Sequence, residues 1–217
     1  MKNNATYLFI IIAVNLFYTI IINMYIQTDE IFYNFLLNNY PTEIAIRIFE
    51  TSHPYKCIIY ISTPILIILR TLIFAIILDA VLICKNIYEP KRTSTKHNFS
   101  QLWSIFICAE WSYIAFITIK FCRFAFFDTN YDYSELIDYS PLSLYSLIGN
   151  NNLDAWLIYP LKVCNLFEVL YLVIAIIMYK RILQTNWTDS MFYICLSYLI
   201  PLFVFMIFIM YLNIHFL

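Results

Sequence analysis

Long apolar runs without charge alternate with short polar stretches along this chain. Residues 7–26 carry no charge and reach the roughly 20 residues that cross a hydrocarbon core of about 30 Å. The run is longer than a signal-peptide core, and Asn23-Met24-Tyr25 is not a small-residue cleavage site, so it predicts a retained first helix. Residues 57–84 are apolar for longer than one span needs. Pro64 bends this run or marks the helix start, which puts the second span at 62–84. A third span is predicted at 102–122 and a fourth at 161–178. The fifth, at 191–212, is loosened at Pro201, and Ser197 stands one turn earlier to bond a freed carbonyl. The pattern predicts an all-α integral membrane helical bundle of about five transmembrane helices, forming a single domain over residues 1–217.

The polar stretches carry structure of their own. Within 27–56, residues 31–40 are apolar and aromatic and stop at Pro41. In 42–51, Glu43, Arg47 and Glu50 share one helical face, while Ile44, Ala45, Ile48 and Phe49 lie mostly opposite. That is the layout of a helix lying at a membrane interface. A second interfacial helix is predicted after the third span. There Ser140 is a good N-cap, Pro141 suits the first helical position, 142–148 forms the helix, and Gly149 suits the position just past its end. Residues 150–152 read as a turn. Asp154 can cap a segment from Ala155, which Pro160 interrupts before the fourth span.

Composition agrees with a membrane reading. The chain is 62% hydrophobic and only 12% charged, far from an ordinary soluble domain. A net charge of −1 argues neither for nucleic acid nor for an acidic ligand, and no nucleic-acid partner is expected. The cations set an orientation. Lys2, Lys85, Lys91, Arg92, Lys96, Lys180 and Arg181 fall on the side of the N-terminus. Arg47, Lys56, Lys120, Arg123 and Lys162 are spread over longer loops opposite, together with Asp29, Glu30, Glu43, Glu50, Asp128, Asp132, Glu135, Asp138 and Asp154. The N-terminus is therefore expected in the cytoplasm and the C-terminus in the periplasm of a bacterial inner membrane.

Arg70, Asp79, Glu110 and Glu168 fall inside predicted spans. A charge at a bilayer centre costs about 2.5–3.5 kcal/mol on insertion scales, so each should face protein or water and find a partner. Arg70 and Asp79 are nine residues apart, on opposite sides of one helix. Arg70 must therefore reach across to another helix. Glu168, placed like Arg70 near an outer helix end, is the first expected partner and Glu110 the second. Asn165 lies three residues before Glu168 and can join the same network. Asp79 and Glu110 have no cation at their expected depth. The set reads either as a proton or ion path or as a structural salt bridge. The lack of GxxxG and of glycine in any span favours the structural reading.

Catalytic signatures are missing. One glycine, Gly149, leaves no P-loop, dinucleotide fingerprint, nucleophile elbow or glycine-flanked protease serine. His53, His97 and His215 are isolated and no HExxH occurs, so no metal and no cofactor are expected. The sequence 43–47 lacks the paired glutamates of CAAX-type membrane proteases. The six cysteines form no CxxC and read as apolar packing residues. The glycosylation-like triplets at Asn4, Asn98 and Asn186 lie on the cytoplasmic side of the predicted topology.

Ser140-Pro-Leu-Ser-Leu144, Trp156-Leu157 and Asn165-Leu-Phe-Glu168, with the amphiphilic lead-in of residues 99–113, resemble the Yip family of five-span membrane proteins over about residues 99–212. The chain departs from that family in its glycine-poor spans, in Glu168 after the Asn-Leu-Phe, and in its long loop after the first span. The resemblance implies a five-helix bundle with a cytosolic N-terminus. Eukaryotic relatives are linked to vesicle trafficking and Rab proteins, and bacterial ones to no settled activity.

The expected function is a non-enzymatic scaffold or accessory subunit of a larger membrane complex, with the lipid bilayer and other membrane protein subunits as partners. The alternative is a small-solute or proton-coupled transporter using Asp79, Glu110 and Glu168. A lipid-acting enzyme has only the acidic stretch 128–138 in its favour.

Overall fold

The computed structural model describes residues 4–26, 28–52, 55–88, 97–127, 131–149 and 153–216. Lys2, His53, Lys91, Arg92, Lys96, Asp128 and the expected turn at 150–152 lie outside the described residues. The described residues are predominantly helical, and no strand occurs among them. Four stretches are long and apolar enough to cross a membrane: Asn4–Tyr25, Tyr60–Ile87, Phe99–Phe127 and Trp187–His215. The first is helix α1 (Asn4–Tyr25). The second lies in α4 (Lys56–Tyr88). The third joins α5 (Phe99–Ala109), α6 (Trp111–Cys122) and a π turn, Arg123–Phe127. The fourth lies in α11 (Trp187–Phe216).

The fourth helix expected from the sequence is built differently. It is split into α9 (Ala155–Val163) and α10 (Leu166–Leu183). α10 has 18 residues but holds Glu168, Lys180 and Arg181. The break lies at Cys164 and Asn165, whereas Pro160 sits inside α9. Pro160 needs no partner for an N–H, and its own carbonyl accepts the Cys164 N–H at 3.0 Å. Pro64 and Pro201 likewise lie within unbroken helices. Ser197 does not bond a carbonyl freed by Pro201. Its hydroxyl donates to Ile194 O, three residues back, at 3.1 Å.

α4 runs opposite to α1 and to α5–α6. At one end the start of α1 meets the start of α5, where Asn4 donates to Ser100 O at 2.5 Å. At the other the end of α1 meets the start of α4, where Asn23 donates to the Tyr60 hydroxyl at 2.8 Å. The main core lies between α4, α5, α10 and α11, around Ala75, Leu78, Ile105, Phe106, Ala175 and Ile194. α1 flanks it, packing Leu8 and Ile11 on Ile67, Ile107 and Ile114. The outward faces remain apolar, with Phe9, Met24, Ile61, Leu66, Phe203 and Ile207 exposed. Faces of this kind suit a lipid environment.

One end of the bundle is capped by short helices. α2 (Thr28–Asn39) and α3 (Thr42–Ser52) pair through Tyr33 and Phe49, whose ring centroids are 5.1 Å apart. α7 (Tyr133–Asp138) sets Tyr133 against Phe32 at 4.9 Å. In α3 the charged residues Glu43, Arg47 and Glu50 are exposed and Ala45 is fully buried. Ile44, expected on the apolar side, is exposed with them.

α8 (Leu144–Ile148) is shorter than the helix expected from residue 142. Its cap is Ser143, whose hydroxyl accepts the Ser146 N–H at 3.1 Å. Ser140 is occupied elsewhere, donating to Lys162 O at 3.4 Å. The helix starts late because Leu142, at φ +54°, and Ser143 run alongside the break in the fourth helix. Gly149 closes α8 at φ +76°, a conformation that disfavours any side chain.

Candidate functional site

A polar cluster stands half-way along the bundle. α4 brings Arg70 about 21 Å from its start at Lys56, and α5 brings Glu110 about 16 Å from its start at Phe99. Because the two helices run oppositely, these depths coincide. Arg70 Nε donates to Glu110 Oε1 at 3.0 Å and Nη2 donates to Oε2, a two-pronged ion pair. Glu110 is 1% exposed and Arg70 32%. The helix tightens at this carboxylate. The Glu110 N–H is shared between Phe106 O (3.2 Å) and Ile107 O (3.3 Å), and its carbonyl accepts the Tyr113 N–H at 3.0 Å.

Three tyrosines complete the cluster. The Tyr113 ring lies 3.8 Å from the Arg70 guanidinium, in cation–π contact. Its hydroxyl donates to Glu168 Oε1, and Tyr198 donates to Glu168 Oε2. Tyr171 stacks on Tyr198 with centroids 4.9 Å apart. The Tyr171 hydroxyl is fully buried beside Glu110 without a bond of regular geometry. The arrangement is reciprocal. Glu110 and Tyr113 on one helix, and Glu168 and Tyr171 on its neighbour, are each three residues apart, and each tyrosine is set against the other helix's acid.

Arg70 therefore pairs with Glu110, the second partner expected, and not with Glu168. Tyr113 stands between Arg70 and Glu168, with its ring against the guanidinium and its hydroxyl on the carboxylate. Asn165 enters through the backbone rather than the carboxylate. It caps α10 by accepting the Glu168 N–H at 2.9 Å and donates to Lys162 O at 3.0 Å. Asp79 lies outside the cluster and meets a basic group, His97 Nε2, at 3.0 Å. The expectation that no cation stands at the depth of Glu110 is thereby corrected by Arg70, while Asp79 meets an imidazole. The three tyrosines are additions to the predicted set. Two of them share the spacing Glu-x-x-Tyr, at Glu110–Tyr113 and Glu168–Tyr171; the same spacing at Glu30–Tyr33 lies outside the cluster, and Tyr198 has no such signal.

The break beside Glu168 is closed by the chain itself. Ser143 and Asn165 form an isolated antiparallel bridge. Leu144 N–H donates to Cys164 O at 2.9 Å, and Leu166 N–H donates to Leu142 O at 3.1 Å. Two open grooves approach the cluster from different sides. One, of about 440 Å³, lies by Asn15, Thr63, Arg70 and Tyr113. The other, also about 440 Å³, ends at Glu168 and Tyr198. Nearer the capped end, Lys162 pairs with Asp138 at 2.7 Å, and Arg123 stacks on Tyr139 at 4.1 Å. There a wider cavity of about 530 Å³ opens between Arg123, Glu135, Asp138 and Ser146. Burial raises the Tyr131 and Tyr133 phenols above their ordinary pKa in this cap. Among the described residues no group of three or more His, Cys, Asp or Glu side chains is placed to hold a metal ion.

Comparison with known protein families, with curated proteins and with solved structures finds no match to this chain.

Proposed function

We propose that the chain is an integral membrane protein of five spans, in which α9 and α10 together make the fourth, and that it serves as a non-enzymatic scaffold or accessory subunit of a larger membrane complex. The observation carrying this reading is that both carboxylates of the central cluster are held by side chains of the same chain. Both oxygens of Glu110 are held by Arg70, and each oxygen of Glu168 accepts a tyrosine hydroxyl. Buried carboxylates held by partners on neighbouring helices fix helix register. The proposed orientation in a bacterial inner membrane places the N-terminus in the cytoplasm. Lys85, Lys180 and Arg181 at one end and the acidic caps α2, α3 and α7 at the other support it. Membership of the Yip family is part of the same proposal and rests on the residues quoted above.

Extraction from native membranes in mild detergent, followed by native mass spectrometry, tests the scaffold reading. A stoichiometric assembly well above the 26.0 kDa of the chain is expected. A lone, monodisperse chain would count against it.

A proton-coupled transporter is the second reading, favoured by the broken helix at Cys164–Asn165 beside a carboxylate that faces a groove. Proton flux in reconstituted vesicles, lost in Glu168→Gln, would select this reading over the scaffold.

A further inference from the structure

The central cluster holds one guanidinium and two carboxylates, and the guanidinium is committed to Glu110. Glu168 is left with two neutral hydroxyl donors. Its nearest lysine along the chain, Lys162, is paired with Asp138. A carboxylate offers about four lone-pair positions, so two tyrosine hydroxyls leave room for a further contact. Glu168 is only part-buried and lines the groove between α8, α10 and α11. That groove is walled by Leu142, Leu144, Leu166, Leu199, Leu202 and Phe203. Its volume of about 440 Å³ falls within the range of small-molecule sites.

We infer that this groove is a binding site for a lipophilic organic monocation, with the apolar body on the leucine walls and the positive charge against Glu168. Charge complementarity decides between occupants. A lipid acyl chain would match the walls, yet it gains nothing from an acid at the end of the groove. A hydrated inorganic ion would match the acid and lose its water against the leucines. A cation with an apolar body satisfies both. This site is independent of the scaffold reading, because a scaffold can hold such a ligand and a transporter can move it.

The test uses the full chain in phosphatidylcholine nanodiscs with tetraphenylphosphonium as the probe, measured by equilibrium binding against empty nanodiscs. Saturable binding is expected for the wild type. Glu168→Gln should weaken it about tenfold or more, as loss of a contact to a charged group implies. Leu166→Trp, at an exposed position on the groove wall, should weaken it similarly while leaving the polar cluster untouched. This second variant keeps the test decisive if Glu168→Gln fails to fold. Binding no greater than to empty nanodiscs would overturn the inference. So would equal binding by wild type and Leu166→Trp, or by wild type and a folded Glu168→Gln.

Discussion

Replacing Arg70 by leucine should destabilise the bundle more than replacing Glu110 by leucine, and replacing both should cost less than the sum. Glu110 is 1% exposed and both of its oxygens are held by Arg70. Without the guanidinium it becomes a buried, unpaired acid, and such a loss costs about 3–5 kcal/mol. Arg70 without its acid is better placed. It is 32% exposed towards a groove and keeps the Tyr113 ring at 3.8 Å, a contact worth about 0.5–2 kcal/mol. The double change removes both charges and leaves no orphan, so the two sites should couple by about 2 kcal/mol or more. Reversible unfolding in mixed micelles, followed by far-UV circular dichroism, measures all four corners of the cycle. A parallel cycle of Arg70→Leu with Glu168→Gln should show weaker coupling, since Tyr113 separates the two groups. Additivity within about 0.5 kcal/mol for Arg70 with Glu110, or stronger coupling of Arg70 with Glu168, would refute the pairing.

The same assay checks two further predictions. Tyr113→Phe and Tyr198→Phe each remove a donor from Glu168 and should each cost about 1–3 kcal/mol. Tyr171→Phe removes a hydroxyl without a regular bond and should cost less than about 1 kcal/mol. Gly149→Ala should cost about 1–3 kcal/mol from backbone strain alone, because φ is +76° and nothing lies within 4 Å of an added Cβ. A neutral Gly149→Ala would show that the loop rearranges at no cost.

The apolar runs made the helices legible, since run length and lack of charge are local properties. The partner of Arg70 was not legible from helix ends. α4 starts at Lys56 and α5 at Phe99, and each start lies several residues outside the predicted span. Counting depth from 62 and 102 therefore put Arg70 and Glu110 at different levels, while the longer antiparallel helices bring them together. The break in the fourth helix was assigned to Pro160, the visible breaker. Its actual place, Cys164–Asn165, depends on a bridge to Ser143, more than twenty residues earlier. Long-range pairing of this kind leaves no periodic trace. The role of the tyrosines is not legible in the sequence, because aromatic residues in a membrane chain also serve as apolar filling and their hydroxyls gain a role only once the opposing acid is placed.

The break changes the argument that scarce glycine makes the bundle rigid. A discontinuous helix exposes backbone groups, which transporters direct at their cargo. Here the exposed groups are claimed by the chain. Val163 O accepts the Asn165 N–H at 2.8 Å across Cys164, at φ −70° and ψ 81°, an inverse γ-turn. Cys164 O accepts the Leu144 N–H, and Lys162 O accepts both the Asn165 amide and the Ser140 hydroxyl. The Leu166 N–H goes to Leu142 O, and the Glu168 N–H goes to the Asn165 side chain. With these groups taken, the backbone at the break has little left to offer a cargo, and the reactive side chains open there are the Glu168 carboxylate and the exposed Cys164 thiol. The interruption in this chain is therefore locked by its own backbone and side-chain bonds. Any ligand chemistry at the break falls to those side chains and the leucine walls beside them.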